Sequence, residues 1–471
     1  MKRVVGHAGV VLGLILLLTA APSWGGGYPA TNDDTGDGGN TGGGAGALIS
    51  VTSGSGNTAY GHDALYDNTT GEHNTAVGEF ALTYNTTGSY SVAAGNRALY
   101  SNTSGHYNIA VGDSALFDNT VGEGNTALGD LALTHNTIGS GNTAVGKDVL
   151  FSNTTGNGNT AVGKDVLFSN TTGNGNIAVG DSALLSNTIG DGNLAVGTEA
   201  LFANTTGYNN TALGWSTLNT NTIGANNTAL GQNALLSNTV GNGNIALGSN
   251  ALYTNTAGSG NVALGRGALR AGTGSVNIGI GSQAGLNLTS GDNNIYLGSP
   301  GPDSEGAESN TLRLGTPAVQ TSAFMAGVSG AVVPGGQTVI IDSSGRLGTA
   351  PSSARYKRDI AALGIRSHEL FQLRPVSFRY TADPAGRLQY GLIAEEVATL
   401  YPELVTRTAT GEVLGVDYQQ VIPLLLNELQ TLKTEHQHAL AALKAQQDRL
   451  EAALAQMRAA MAPQTAALAE R

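Results

Sequence analysis

Ser352 and Lys357 are the pair in this chain best placed to do covalent chemistry. A serine hydroxyl attacks a carbonyl only when a base takes its proton, and a lysine serves as that base only where burial or neighbouring cations favour the neutral amine. Arg355 and Arg358 flank Lys357 and act in that direction, whereas Asp359 acts against it. Residues five apart lie about 140° apart on a helix and on opposite faces of a strand, so a turn or a neighbouring subunit must join them. The spacing alone is a weak motif; it also suits a helix cap at Ser352 or Ser353 with Lys357 as a solvated charge. Elsewhere the chemistry is sparse. Glu395 and Glu396 are adjacent and point apart on a helix, which reads as a solvated face. His368, His436 and His438 form no ligand set; His436 and His438 are two positions apart on a helix and cannot converge on one ion. The chain has no Cys, which excludes disulfides, thiolate metal sites and thiol catalysis. No cofactor or metal is expected.

The dyad opens a series of segments that share an order. Ser352-Ser353-Ala354-Arg355-Tyr356-Lys357-Arg358-Asp359-Ile360 is followed by Leu373-Arg374-Pro375-Val376-Ser377-Phe378-Arg379-Tyr380. Then come Tyr390-Gly391-Leu392-Ile393-Ala394-Glu395-Glu396-Val397, Tyr401-Pro402-Glu403-Leu404-Val405 and Val416-Asp417-Tyr418. From Ser352 to about Leu432 this series resembles the S74 peptidase family, the intramolecular chaperone domain that ends phage endosialidases and tail spikes and occurs in the myelin regulatory factor. The resemblance implies a small α+β domain that assembles three chains, helps an upstream β fibre to fold, and cuts itself off with a Ser-Lys dyad. It assigns the nucleophile to Ser352 and the base to Lys357. Ser353 stands where phage members commonly have Asp.

Upstream the chain is a different polymer. Of 41 Asn, only two lie beyond residue 300, and 69 residues are Gly. Asn recurs in steps of 17 or 34 from Asn57 to Asn261, with Ser91 filling the one gap, and the phase resumes at Asn277 and Asn294 after a one-residue deletion. The consensus is N-T-A-[VL]-G-x-x-A-L-x-x-N-T-x-G-x-G, and residues 141–157 and 158–174 are identical. Units this short and Gly-rich cannot be helical hairpins; they suit coils of a parallel β-solenoid stacked at about 4.8 Å, with apolar ladders inside and Asn bonded along the stack. The N-T-A-V-G units resemble the head repeats of trimeric autotransporter adhesins, which implies a β-roll with three chains around one axis. The apolar pairs are small, so the core is expected to be shared between chains.

The beginning, Met1-Lys2-Arg3 with an apolar run from Val10 to Ala21 and small residues at Ser23 and Gly25, reads as a signal peptide. From Gln419 onward a helix carries Leu425, Leu429, Leu432, His436, Ala439, Leu443, Gln446, Leu450, Ala453, Met457 and Ala460 in alternating steps of four and three, a coiled-coil seam expected to end at Pro463. The net charge of -12 gives no basic footprint for nucleic acid. The sequence closes without the membrane barrel that anchors an autotransporter, so no integral membrane anchor is expected in the mature chain.

The organisation expected is therefore a mainly β protein. It comprises a signal peptide (1–25), a flexible Gly-rich lead-in (26–53), a β-solenoid (54–300) and a β connector (301–351) with a hairpin around Asp342. A chaperone/peptidase domain (352–418) and a helical coiled coil (419–471) follow. The function expected is an exported, secreted or surface homotrimeric fibre, with a surface glycan or protein as receptor. A passive fibre with a non-cleaving trimerisation domain is the alternative, and a glycan-degrading enzyme is a further rival that lacks an insert long enough to build a carboxylate cleft.

Overall fold

A computed structural model describes residues 38–469 apart from 318, 321, 326, 327, 329–337, 343, 382, 384 and 409. The signal peptide and the first part of the lead-in lie outside the described residues. The chain divides into two compact units, one up to Phe324 and one from Met325.

In the first unit each coil contributes a short strand to one 17-stranded sheet, in which neighbours pair parallel and in register at the repeat length: Ala127 with Ala144, Ala144 with Ala161. The central Ala of each strand points inward and the residues on either side point out. A second Ala (or Val) and a Leu after the turn close the core, with Ala115, Leu116, Val149 and Leu150 all at 0% exposure. The core is thus complete within one chain. This corrects the expectation of a core shared between chains: the small Ala, Val and Leu side chains stack closely enough to fill the coil on their own, and what the chain leaves open is the outer face of the sheet.

The coil turns use the left-handed backbone heavily. Gly112 stands at φ 139° with a would-be Cβ only 2.2 Å from the Gly129 carbonyl oxygen, so no other residue fits. Leu116 is also left-handed, at φ 54°. That conformation costs a non-glycine residue roughly 1–2 kcal/mol. Full burial of a Leu side chain returns about 1.5–3 kcal/mol and offsets it. A further left-handed position is held by Gly in most coils (Gly141, φ 67°) or by Asn (Asn209, φ 53°). In three successive coils it is held instead by His73, Tyr90 and Tyr107, at φ 54°, 58° and 59°. Their rings stack at 5.1 and 5.3 Å. Stacking returns about 0.5–1.5 kcal/mol per pair, less than the left-handed backbone costs three residues, and Tyr90 and Tyr107 remain 49% and 62% exposed, so burial does not make up the difference.

Two Asn ladders run inside the stack. Asn159 donates its backbone N–H to Asn142 Oδ1 (3.0 Å) and its amide to the Gly173 carbonyl (2.8 Å), while Asn153 donates to Asn136 Oδ1 (2.8 Å) and the Gly156 carbonyl (3.0 Å). Both are buried, where a lone amide would be costly. Ser91 keeps its ladder going by accepting from the Asn108 N–H at 3.2 Å.

The solenoid is longer than its consensus. Thr41–Gly43 already pairs with Thr58–Tyr60, and Asn40 Oδ1 accepts from the Asn57 N–H at 2.8 Å, so the lead-in expected to be flexible is a coil from there on. At the other end Leu312–Leu314 pairs parallel with Ile295–Leu297, so a strand assigned to the connector belongs to the solenoid sheet. The closing coil replaces the small core Ala with Tyr296, fully buried, whose hydroxyl donates to Glu308 at 2.7 Å; Arg313 holds the same carboxylate at 2.9 Å.

In the second unit Ile340–Ile341 and Leu347–Gly348 form an antiparallel hairpin, its turn fixed by Asp342 Oδ1 accepting from the N–H groups of Ser344 and Arg346. Short 3-10 helices at Ala354–Tyr356 and Gly364–Gln372 precede paired strands Val376–Phe378 and Gln389–Gly391, helix α1 (Ala394–Leu400), paired strands Val405–Arg407 and Val413–Val416, and helix α2 (Tyr418–Ala469). Val397, Tyr401, Leu404, Val421 and Leu424 make a small core. Helix α2 gives that core only its first turns. It runs on past Pro463, where the seam was expected to stop, because a proline removes one ladder bond without obliging the helix to end. Among the described residues no helix is long and apolar enough to cross a membrane.

Candidate functional site

The 3-10 turn Ala354–Tyr356 is what brings the two dyad residues together. Ser353 caps it with extended backbone, its hydroxyl accepting from the Arg355 N–H, and the Lys357 N–H closes the turn on the Ala354 carbonyl. Ser352 and Lys357 then stand at either end of a single tight turn, and Lys357 Nζ lies 3.3 Å from Ser352 Oγ. This is the turn that the five-residue spacing demanded, and it forms within one chain.

The surroundings are open. Ser352 through Ile360 are all exposed, and Arg358 meets Asp359 only at 3.9 Å with both side chains in water. A charged ammonium donates across this contact, whereas a base must be neutral and accept the hydroxyl proton. A hydroxyl and an amine within reach can form an acyl intermediate and pass a proton to the leaving amine, but the amine must first be neutral, which a dry site promotes.

Of the other sequence candidates, Glu396 pairs with Arg374 at 2.6 Å and does not join Glu395 in a shared site. His436 and His438 are exposed on α2. His368 lies 3.6 Å from Glu428, and this leads to a cluster that sequence reading missed. The buried Ser367 hydroxyl donates to Glu428 Oε1 at 2.6 Å, and Asn427 donates to Ser367 Oγ at 2.6 Å and to the Gly364 carbonyl at 3.0 Å. A Ser, a His and a Glu thus adjoin, yet the serine faces the carboxylate and not the imidazole, so no base addresses it. The cluster is a clamp between the Gly364–Gln372 turn and α2. Its partners are about sixty residues apart, and no local spacing signals it.

The long helix is only partly covered. Leu425, Leu429, Leu432, Leu443, Leu450 and Met457 are all exposed along α2, while Val421, Leu424 and Glu428 face the core of the unit. The helix therefore has two apolar faces at its start, and only one is covered.

Residues 352–406 match the Peptidase S74 family model, described as chaperone of endosialidase. The matched stretch begins at Ser352 and includes Lys357, α1 and the core residues Val397, Tyr401 and Leu404. No curated protein and no solved structure matches the chain.

Proposed function

We propose that the chain is an exported homotrimeric fibre whose C-terminal unit is an intramolecular chaperone that registers three chains and then cuts itself away at Ser352. The observation that carries this reading is the outer face of the solenoid sheet. On either side of the buried Ala the outward positions hold Thr, Val, Ile, Leu, Ala or Tyr from Thr58 to Leu297 and never a charge, although Ile109, Ile177, Leu230 and Ile245 are exposed. This uncharged strip of Thr and aliphatic side chains runs the length of the stack, and a continuous exposed patch of this kind marks an interaction surface. A second copy has the same strip with the same rise per coil, so identical chains can cover one another along its whole length.

Parallel stacking of distant segments is slow and open to misregistration. The exposed leucine seam of α2 offers a local, fast way to bring the chains into register first. Assembly also supplies what the dyad lacks. Packing of three units over Lys357 would exclude water and favour its neutral amine, after which the Ser352 hydroxyl attacks the neighbouring peptide carbonyl. The proton from Oγ passes by way of Lys357 to the leaving amine, and water then hydrolyses the ester. The full chain should sediment as a trimer; a stable monomer at micromolar concentration would defeat the reading.

A second reading, a passive fibre with a non-cleaving cap, is favoured by one observation: Ser352 and Lys357 are both exposed, so nothing within the single chain desolvates the amine. The mass of the purified chain separates the two.

A further inference from the structure

We infer that the aromatic column His73–Tyr90–Tyr107 is a saccharide platform, on which the C–H face of a neutral pyranose lies against the open face of Tyr107. The left-handed position these residues occupy is Gly or Asn in the other coils, Val276 beside the one-residue deletion excepted. Aromatic residues have been accepted there at a cost that stacking does not repay, and they are not buried. Left-handed non-glycine residues occur at another turn position of nearly every coil, as at Arg97 and Glu199, so the backbone alone does not mark the site; what sets this column apart is three stacked rings left open to solvent, a ready-made apolar binding surface.

The geometry gives the column a free end. Side chains at this position lean toward the preceding coil: a Cβ on Gly56 would meet the His73 ring at 2.5 Å, and one on Gly192 would meet Asn209 Oδ1 at 2.7 Å. His73 therefore covers its own glycine, Tyr90 leans on His73, and Tyr107 leans on Tyr90. The next coil has Gly124, where a Cβ would find nothing within 4 Å. No side chain leans onto Tyr107, and its far ring face is left for a ligand. An exposed phenol face of this kind takes the apolar side of a sugar ring, while the hydroxyls at the rim need polar partners.

Those partners adjoin. Glu123 directly precedes Gly124, is exposed, and its carboxylate has no partner among the described residues. His106, beside Tyr107, accepts the Ser89 N–H on Nδ1 at 3.0 Å, which places the proton of the neutral ring on Nε2 as a donor. The free carboxylates of Glu72 and Glu123 and the acidity of the body disfavour an anionic sugar, so the class is a neutral hexose or N-acetylhexosamine. Six of the 15 Tyr fall between residues 60 and 107, which concentrates recognition in the N-terminal coils.

This names the receptor chemistry of the fibre proposed above and requires neither cleavage nor trimerisation, so sedimentation and glycan binding can fail separately. The test uses the full chain on a panel of neutral and sialylated pyranose glycans, with affinity for the best neutral member measured by calorimetry and ring contact by saturation transfer from aromatic protons. Tyr107→Asn and Tyr90→Asn use the residue that other coils carry at the same backbone angle, so both should unfold no earlier than the wild type. Tyr107→Asn should weaken binding at least tenfold, and Tyr90→Asn less. No binding to any neutral glycan, preference for sialylated ones, or equal affinity in Tyr107→Asn would each overturn the inference.

Discussion

Ser367 donates its hydroxyl hydrogen to Glu428 at 2.6 Å, out of water, and so ties the Gly364–Gln372 turn to α2 across 61 positions of sequence. Asn427 adds a donor to the same serine oxygen. Removing Ser367 leaves a buried carboxylate short of a partner, which costs about 1–3 kcal/mol or more for a charged group. Ser367→Ala should therefore raise hydrogen exchange at residues 364–372 and in the first turns of α2 while the solenoid amides keep their protection. Unchanged exchange in both would show that the clamp carries no stability.

The Asn ladders predict a graded series. Asn159→Ala orphans the buried Asn176 N–H, which donates to Asn159 Oδ1 at 2.9 Å, and removes the bond to Gly173. A loss of about 1–3 kcal/mol is expected. Asn159→Ser should lose markedly less, because a hydroxyl oxygen can accept the N–H of the next coil as Ser91 does for Asn108. Equal destabilisation of the two, followed by circular dichroism on heating, would mean the amide acts through shape and not through its bonds.

The closing coil should be acid-sensitive in a defined direction. Burial opposes the ionised form of Glu308, yet hydrogen bonds from Arg313 and Tyr296 outweigh it and hold the carboxyl below its ordinary range. Burial and the bond to Glu308 push the Tyr296 phenol well above its usual range, so it stays a donor throughout. A carboxyl lowered in the folded state stabilises above its unfolded value, near 4.3, and the contribution is lost as pH falls through the folded value. Protection of amides in residues 294–314 should hold at neutral pH and drop below about pH 4. Glu308→Gln should be weaker at neutral pH and flatter in acid; an identical acid profile would assign the effect to other carboxylates.

The period of the solenoid was legible because every coil meets the same demands: a small inward Ala, a Gly where no Cβ fits, and an Asn that bonds up and down the stack. Its ends were not, because end coils break the consensus for physical reasons. Thr41–Gly43 carries Gly in place of the core Ala and Val51 stands where the second Asn belongs, so the coil is recognised only by the remaining matches, Asn40, Thr41, Gly44, Ala47 and Leu48 among them. Tyr296 fills space that repeating coils fill from their neighbours. The dyad was legible as residue types and as a need for a turn; that the turn is a 3-10 helix capped by Ser353 depends on hydrogen bonds that no spacing rule encodes. The Ser367–Glu428 clamp left no trace in the sequence, since a Ser and a Glu become informative only once folding has buried them together.

The dyad's exposure makes the last prediction one about timing. If attack needed only proximity, the 3.3 Å approach of Lys357 to Ser352 would let every chain cut itself as soon as the 3-10 turn formed, before any fibre was registered. On the proposed function, a chaperone that left early would be useless, and burial of Lys357 on assembly would supply the control. Cleavage beside Ser352 should release about 120 residues, the span from Ser352 to the end, only after chains associate, and leave a body held by a high unfolding barrier. Ser352→Ala and Lys357→Ala should stay full length yet trimerise, whereas Ser353→Ala, which loses only a cap worth about 1 kcal/mol, should still be cut. Replacing Leu425, Leu429 and Leu432 by Ser should block association and cleavage together, with the dyad untouched. Intact mass measured beside sedimentation decides it: monomers that cut themselves would show that the exposed dyad is already competent, and wild-type trimers that remain whole at neutral pH would leave the unit as a registering cap alone.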